Sequence, residues 1–388
     1  MSVNRNWDYW INSVDESDGL SPNEKQKAKA AFHVIRDLFG EDLQASVIAP
    51  KHPIYDLLWN RAGWTRRWLI NFSEAVESCI AQKNSVELMT KLKDPKMYKE
   101  GLLHLDIAKR FVDSGFLVEF LKEDRINKVP DLKIVNPFTG EEIFVELTEM
   151  GQSIQSKDSS ETFREISMKL LSIMAREEGP RLIHKGIIHK PHLSKPSREK
   201  ILKDIDEIAE KAGKTGFEEM IEEGVIELAI AREDNSRSLE EWAQKRKMDR
   251  QSSLSMPLFF PDETYRLSTK IREKFLQLKK GNTNILIIRA NTFFFRAHNI
   301  DDAISRVEEF VFENKDLLLC VIIGGYMGGE EQDKIRSKGN HLYLVRSDGL
   351  ITREVMILSN KFFKGGPVGD DSYSKVKHAL IAGTTLIH

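Results

Sequence analysis

The chain has 388 residues, enough to bury a large core, and its length argues for two domains or for one elaborated domain with a helical extension. Charged residues make up 30% and hydrophobic ones 40%, which excludes a fibrous or intrinsically disordered protein; 58 basic residues nearly cancel 60 acidic ones, so a nucleic-acid partner would have to be held by local basic patches. Two cysteines, Cys79 in "VESCIAQ" and Cys320 in "LLLCVII", are too few and too far apart for a disulfide framework or a zinc site, and both read as buried apolar residues.

The opening "MSVNRNWDYW" carries no basic stretch leading into an apolar core, and the most apolar run, "LLLCVII", is far short of a membrane span. A cytoplasmic protein without membrane attachment is expected. Ser21, Pro22 and Glu24 supply the N-cap, first-turn proline and capping-box acid of a helix that stops at Gly40. Residues 53–94 again read as helical, with Trp59, Trp64 and Trp68 set among arginines; these rings suit core or interface packing, with base-stacking platforms as the sharper alternative. Residues 1–95 are therefore expected to form a helical N-terminal extension.

From about residue 98 the pattern changes. "YKEGLLHLDIAKRFVDSG" is a helix ending at Gly115, "FLVEFLKE" a strand, and "VPDLKIVNPFTGEEIFVELTEM" (129–150) two strands around a turn. A further helix follows, with Asp158 and Glu161 placed as a capping box. A highly charged helical stretch and the strand "VIELAIA" make residues 195–260 an elaboration. A basic helix (262–280), "NILIIRA", a helix beginning near Asp301, and the strands "LLLCVII", "HLYLVRS" and "ITREVMIL" complete an α/β domain over 96–360, a mixed sheet flanked by helices. Residues 361–388 read as a C-terminal tail, with "KGGPVGDDSYS" expected as a loop.

The hairpin carries the chemistry. A turn at Pro137–Gly140 pairs Asn136 with Glu141, and continuing the register sets Asp131 opposite Glu146, with Cβ atoms about 5 Å apart. Alternation sends Leu132, Ile134, Ile143, Val145 and Leu147 to one face, and Asp131, Lys133, Glu146 and Thr148 to the other. Opposed carboxylates repel unless a cation sits between them, and hard oxygen donors suit Mg²⁺ or Mn²⁺ with substrate phosphate completing the shell. The plainer alternative is the wet face of an amphipathic hairpin.

The order of helix, strand and hairpin in "HLDIAKRFVDSGFLVEF", "VPDLKI" and "EEIFVELT" resembles the PD-(D/E)xK superfamily of restriction-endonuclease-like nucleases, closely over residues 100–150 and loosely to about 360. The resemblance implies a restriction-endonuclease-like fold, a Mg²⁺- or Mn²⁺-dependent nuclease, nucleic acid (DNA before RNA) as partner, and a homodimer as a possible assembly. It makes Asp131 and Glu146 the metal-binding acids and Asp106, with His104 beside it, the acid of the first helix. The departure is Thr148, which stands where the family has its lysine and cannot supply that charge. Either another cation takes over or catalysis is lost, leaving a nucleic-acid-binding or protein-interaction module. Lys133, two residues beyond Asp131 on the same face, is the first replacement expected, with Lys169 and Lys274 behind it.

Arg266, Lys270 and Lys274 share a stripe of the basic helix, either a solvated face or a phosphate-tracking ridge, and Lys245, Arg246 and Lys247 form a second patch of the same kind. "IIGGYMGGEE" fits no phosphate-binding fingerprint and reads as a flexible loop. His184, His189 and His192 lack a ligand spacing.

Overall fold

The computed structural model describes residues 6–122, 129–151, 154–176, 179–248, 253–256, 263–290, 294–297, 300–327, 334–339, 341–347, 351–381 and 386. The chain divides into two compact units, Met1–Gly151 with Glu263–His388, and an inserted Gln152–Asp262.

The first unit opens with helices α1 (Trp7–Asn12), α2 (Pro22–Phe39), α3 (Ile54–Trp59), α4 (Gly63–Ile80), α5 (Ser85–Lys93) and α6 (Tyr98–Asp113). The capping box at Ser21 and Glu24 is formed. These helices share one apolar cluster with the sheet, so the N-terminal segment is continuous with the main core: Trp10, Phe32, Phe72 and Phe111 pack with Ile134, Ile143, Val145 and Ile287. Trp68 is buried and stacked on Phe72, while Trp59 lies half exposed against Trp10.

Three antiparallel strands follow, β1 (Leu117–Phe120), β2 (Leu132–Val135) and β3 (Glu142–Glu149). The inserted unit holds α7 (Ile154–Met174), β4 (Leu182–Ile188), α8 (Lys195–Thr215), β5 (Phe217–Glu222), β6 (Ile226–Arg232), α9 (Ser236–Lys245) and β7 (Leu254–Ser255). Its strands form a sheet of their own in the order β5-β6-β4-β7, over a core of Ile166, Leu170, Ile205 and Leu228. The elaboration expected at 195–260 thus lies inside a unit that starts earlier and has its own core. Asp158 falls inside α7 instead of capping it, because the helix has already begun at Ile154.

The first unit resumes with α10 (Glu263–Lys274), β8 (Thr283–Arg289), α11 (Phe294–Ala297), α12 (Ile300–Phe312), β9 (Leu317–Met327), β10 (Lys334–Lys338), β11 (His341–Ser347), β12 (Ile351–Ser359) and α13 (Asp370–Ile381). Its sheet has eight strands in the order β1-β2-β3-β8-β9-β12-β11-β10, with β3, β8 and β9 mutually parallel and the remaining pairs antiparallel. Both faces are covered. Ile285 and Ile287 point into the first cluster, and Leu286, Ile288, Cys320 and Ile322 into a second one beneath α10 and α12. Continuous apolar strands are what a sheet buried on both faces requires.

Two expectations are corrected here. Gly324 and Gly325 of "IIGGYMGGEE" belong to β9, and residues 328–333 lie outside the described chain. A Cβ on Gly324 would meet the Phe295 ring at 2.6 Å, so close ring packing explains this glycine. The tail is not a loop throughout, since α13 packs its Val376, Ala379 and Leu380 into the first cluster. Both cysteines are buried, as expected. No helix among the described residues is long and apolar enough to cross a membrane.

Candidate functional site

The hairpin register follows from its turn. Asn136 N donates to Glu141 O, Gly140 takes a positive φ of 73° that glycine adopts without strain, and Leu132 pairs with Val145; at the end of this ladder Asp131 N donates to Val145 O at 3.1 Å, which brings Asp131 near Glu146. The tail fixes this turn from outside: Asn136 Nδ2 donates to Ser372 Oγ at 2.8 Å, and Gly369 N donates to Glu141 Oε1 at 2.6 Å. Asp131 is held in turn by its Oδ2, which accepts Leu147 N at 2.7 Å.

Glu146 does not lie on a wet face, the plainer alternative for this hairpin, for it is 0% exposed. The alternation that sends Ile143, Val145 and Leu147 into one core turns Glu146 toward the other, and it pairs in register with Leu286 of that core. Burial, and next the negative charge of Asp131, push its carboxyl up to about 8; Lys274 opposes the rise without cancelling it. Its Oε1 accepts Lys274 Nζ at 2.6 Å, and no hydrogen-bond donor among the described residues reaches its buried Oε2.

The three lysines therefore rank differently from the sequence expectation. Lys133 lies between Glu119 and Glu142, 3.1 and 3.0 Å from their oxygens, and these partners hold its ammonium charged away from Glu146. Glu119 is its cross-strand partner, which sequence spacing within one strand does not reveal. Lys169 belongs to the inserted unit, 2.5 Å from Asp206. Lys274 reaches Glu146 because it continues the buried stripe of α10, three residues beyond Ile271 and seven beyond Leu267.

On α6, Asp106 does not join the pair. Arg110 Nε donates to its Oδ2 at 3.1 Å and Leu386 N to its Oδ1 at 2.9 Å, so it anchors the end of the chain in the core. One turn and more toward the helix start, Glu100 and His104 face Asp131 instead: His104 Nε2 lies 3.6 Å from Asp131 Oδ1 and 3.7 Å from Glu100 Oε1. Lys91, almost wholly buried, contacts Glu100 Oε1 at 2.5 Å. Glu100 and Lys91 were not singled out from sequence; the four-residue spacing of Glu100 and His104, which stacks them on one helix face, is the signal that was there to use.

Thr148 stands half-buried on the same side of β3 as Glu146, two residues on. The basic stripe of α10 is largely neutralised: Arg266 pairs with the buried Glu263 at 2.6 Å and Lys270 with Glu273 at 3.5 Å. Arg246 of the second patch lies over the Trp242 ring and pairs with Glu227, which also takes His189 at 2.9 Å. Among the described residues, the one grouping of three acid or histidine side chains able to share an ion is Glu100, His104 and Asp131.

Compared with known proteins, the chain matches no family model, no curated protein and no solved structure.

Proposed function

We propose that this site is that of a nuclease, hydrolysing phosphodiester bonds with the help of a divalent cation, on a restriction-endonuclease-like version of the mixed α/β fold. The observation that carries the proposal is the contact between Lys274 Nζ and Glu146 Oε1, 2.6 Å. It returns a lysine to the carboxylate pair from another element of the fold, where the strand itself has Thr148.

The donor set fits Mg²⁺ or Mn²⁺. Asp131 lies close enough to Glu146 for its charge to act on it, and no donor among the described residues reaches the buried Glu146 Oε2. When bound, the ion would lower the pKa of an attacking water and neutralise charge at the phosphate. Asp131 is fixed by Leu147 N, and Lys274 favours the ionised form of Glu146 that an ion needs. DNA is the substrate proposed, in keeping with the resemblance; a homodimer and a cytoplasmic location belong to the same proposal.

A second reading has its own observation. Complete burial of Glu146 with Lys274 is also what a structural ion pair looks like, in a nuclease-like fold that only binds nucleic acid or protein. Incubating the purified chain with plasmid and with RNA, in Mg²⁺, in Mn²⁺ and in chelator, separates the two. Ion-dependent cleavage that Asp131→Asn abolishes supports the nuclease, and wild type inert in every condition supports the binding module.

A further inference from the structure

We propose that a hollow at the end of β3, beside α10, takes one unpaired, amine-bearing nucleobase, so that single strands are held in preference to duplex. The inference rests on the nuclease reading above and deepens it by naming the form of the substrate.

The hollow has a volume of about 280 Å³, and its lining includes Glu149, Gly151, Tyr265, Arg266, Lys270 and Glu273, all of the first unit. Ligand pockets run from roughly 300 to 1,000 Å³, so this one suits a single flat ring system. Lys270 precedes Lys274 by four residues of α10, about 6 Å along the helix axis, which sets the hollow beside the contact of Lys274 with Glu146.

Charge argues against a phosphate as the occupant. Arg266 pairs with the buried Glu263 at 2.6 Å and Lys270 with Glu273 at 3.5 Å, so both cations of the lining are already committed to carboxylates. A neutral heterocycle needs no net positive charge to hold it.

Two flat surfaces are present instead. The Tyr265 side chain is 72% exposed. Arg266 Nη1 donates to both Glu263 oxygens, at 2.8 and 2.6 Å, and Nη2 donates to Gly151 O at 2.5 Å. Guanidinium N–H bonds lie in the plane of the group, so these contacts fix that plane and leave its faces for stacking. Unpaired bases are held in this way, on aromatic rings and guanidinium planes, whereas a base inside a duplex has its faces covered. Glu149 and Glu273, both exposed, add acceptors that suit the exocyclic amine of cytosine better than the carbonyls of thymine.

The test uses the full chain in chelator, so that nothing is cut. Fluorescence anisotropy follows the binding of three probes: a dodecamer of deoxycytidine, a dodecamer of thymidine, and a duplex of mixed sequence and the same length. The deoxycytidine strand is expected to bind about fivefold or more tightly than either of the others. Tyr265→Ala is expected to weaken that strand about fivefold or more, as removal of one stacking ring does, and Tyr265→Phe, which keeps the ring, to bind it as wild type does. The position is exposed, and unfolding curves show that both variants fold. Cleavage of the same probes in Mn²⁺ is scored separately. Equal binding of the deoxycytidine strand and either other probe, binding unchanged in Tyr265→Ala, or no binding of any probe overturns this inference, and cleavage in those cases leaves the nuclease reading standing. Binding that depends on the Tyr265 ring, by a wild type that cuts no probe, overturns the nuclease reading and supports the hollow as a base-binding site.

Discussion

Replacing Glu146 with glutamine keeps the shape of the side chain and an oxygen for Lys274 while removing the ionisable group, which turns its burial into a measurable slope. In the folded chain the carboxyl is pushed from its ordinary 4.5 up to about 8. At about 1.4 kcal/mol per unit, that rise corresponds to at most about 5 kcal/mol, and relaxation around Lys274 reduces it to roughly 2–4 kcal/mol. The sign follows from proton binding: between pH 4.5 and 8 the folded state holds a proton that the unfolded state has released. Its contribution to stability is therefore complete below about 4.5 and is lost as pH rises through about 8. Urea unfolding in chelator at several pH values between 5 and 9 is the assay. Subtracting Glu146→Gln from wild type cancels the titrations common to both, and the difference should shift against wild type by roughly 2–4 kcal/mol across that range. Parallel profiles would refute the argument, because they would mean that Glu146 titrates alike in the folded and unfolded chain.

Above about pH 8, where Glu146 is ionised, Asp131→Asn should raise stability in chelator by about 1 kcal/mol, since it relieves the repulsion between the two carboxylates while an amide oxygen can still accept Leu147 N, and it should abolish stabilisation by Mn²⁺ in thermal melts. Equal metal-induced shifts in variant and wild type would place the ion elsewhere. Asp106→Asn should cost about 3 kcal/mol in urea, because Arg110 is left buried beside a neutral partner, and should leave Mn²⁺ affinity unchanged; a stable variant that has lost Mn²⁺ would return Asp106 to the site. Gly324→Ala should lower stability by about 1–3 kcal/mol, since its methyl meets the Phe295 ring at 2.6 Å, and an unchanged melting temperature would show that the ring can move aside.

Much of the hairpin was legible before any coordinates. The turn residues fixed the register as far as Leu132 and Val145, and counting with alternation was enough to bring Asp131 and Glu146 into one neighbourhood. Alternation assigns a residue to a face but does not say what covers that face, and a second core beneath α10 and α12 makes the polar face of β3 an interior. That is why alternation alone left the wet face open as an alternative for Glu146. Lys274 was ranked behind Lys133 as a replacement, because its approach to Glu146 depends on the packing of a helix 128 positions along the chain. Lys133 misled for the opposite reason: its neighbour in sequence was Asp131, but its neighbours in space are Glu119 and Glu142. The tail misled likewise, since the glycines at 365, 366 and 369 gave no sign that Ser372 and Gly369 would clamp the hairpin turn.

The central claim is that Lys274 supplies, from α10, the charge missing at Thr148 to a site that cleaves nucleic acid. Single-turnover cleavage of a plasmid in Mn²⁺ by wild type, Lys274→Met and Lys133→Met tests it most directly, with unfolding curves to show that each variant is folded. Loss of about 100-fold or more in Lys274→Met, with Lys133→Met close to wild type, is the result predicted, a factor of the size expected when one charged group is removed from the transition state. Cleavage by Lys274→Met at the wild-type rate, or no cleavage by wild type itself, would contradict the account.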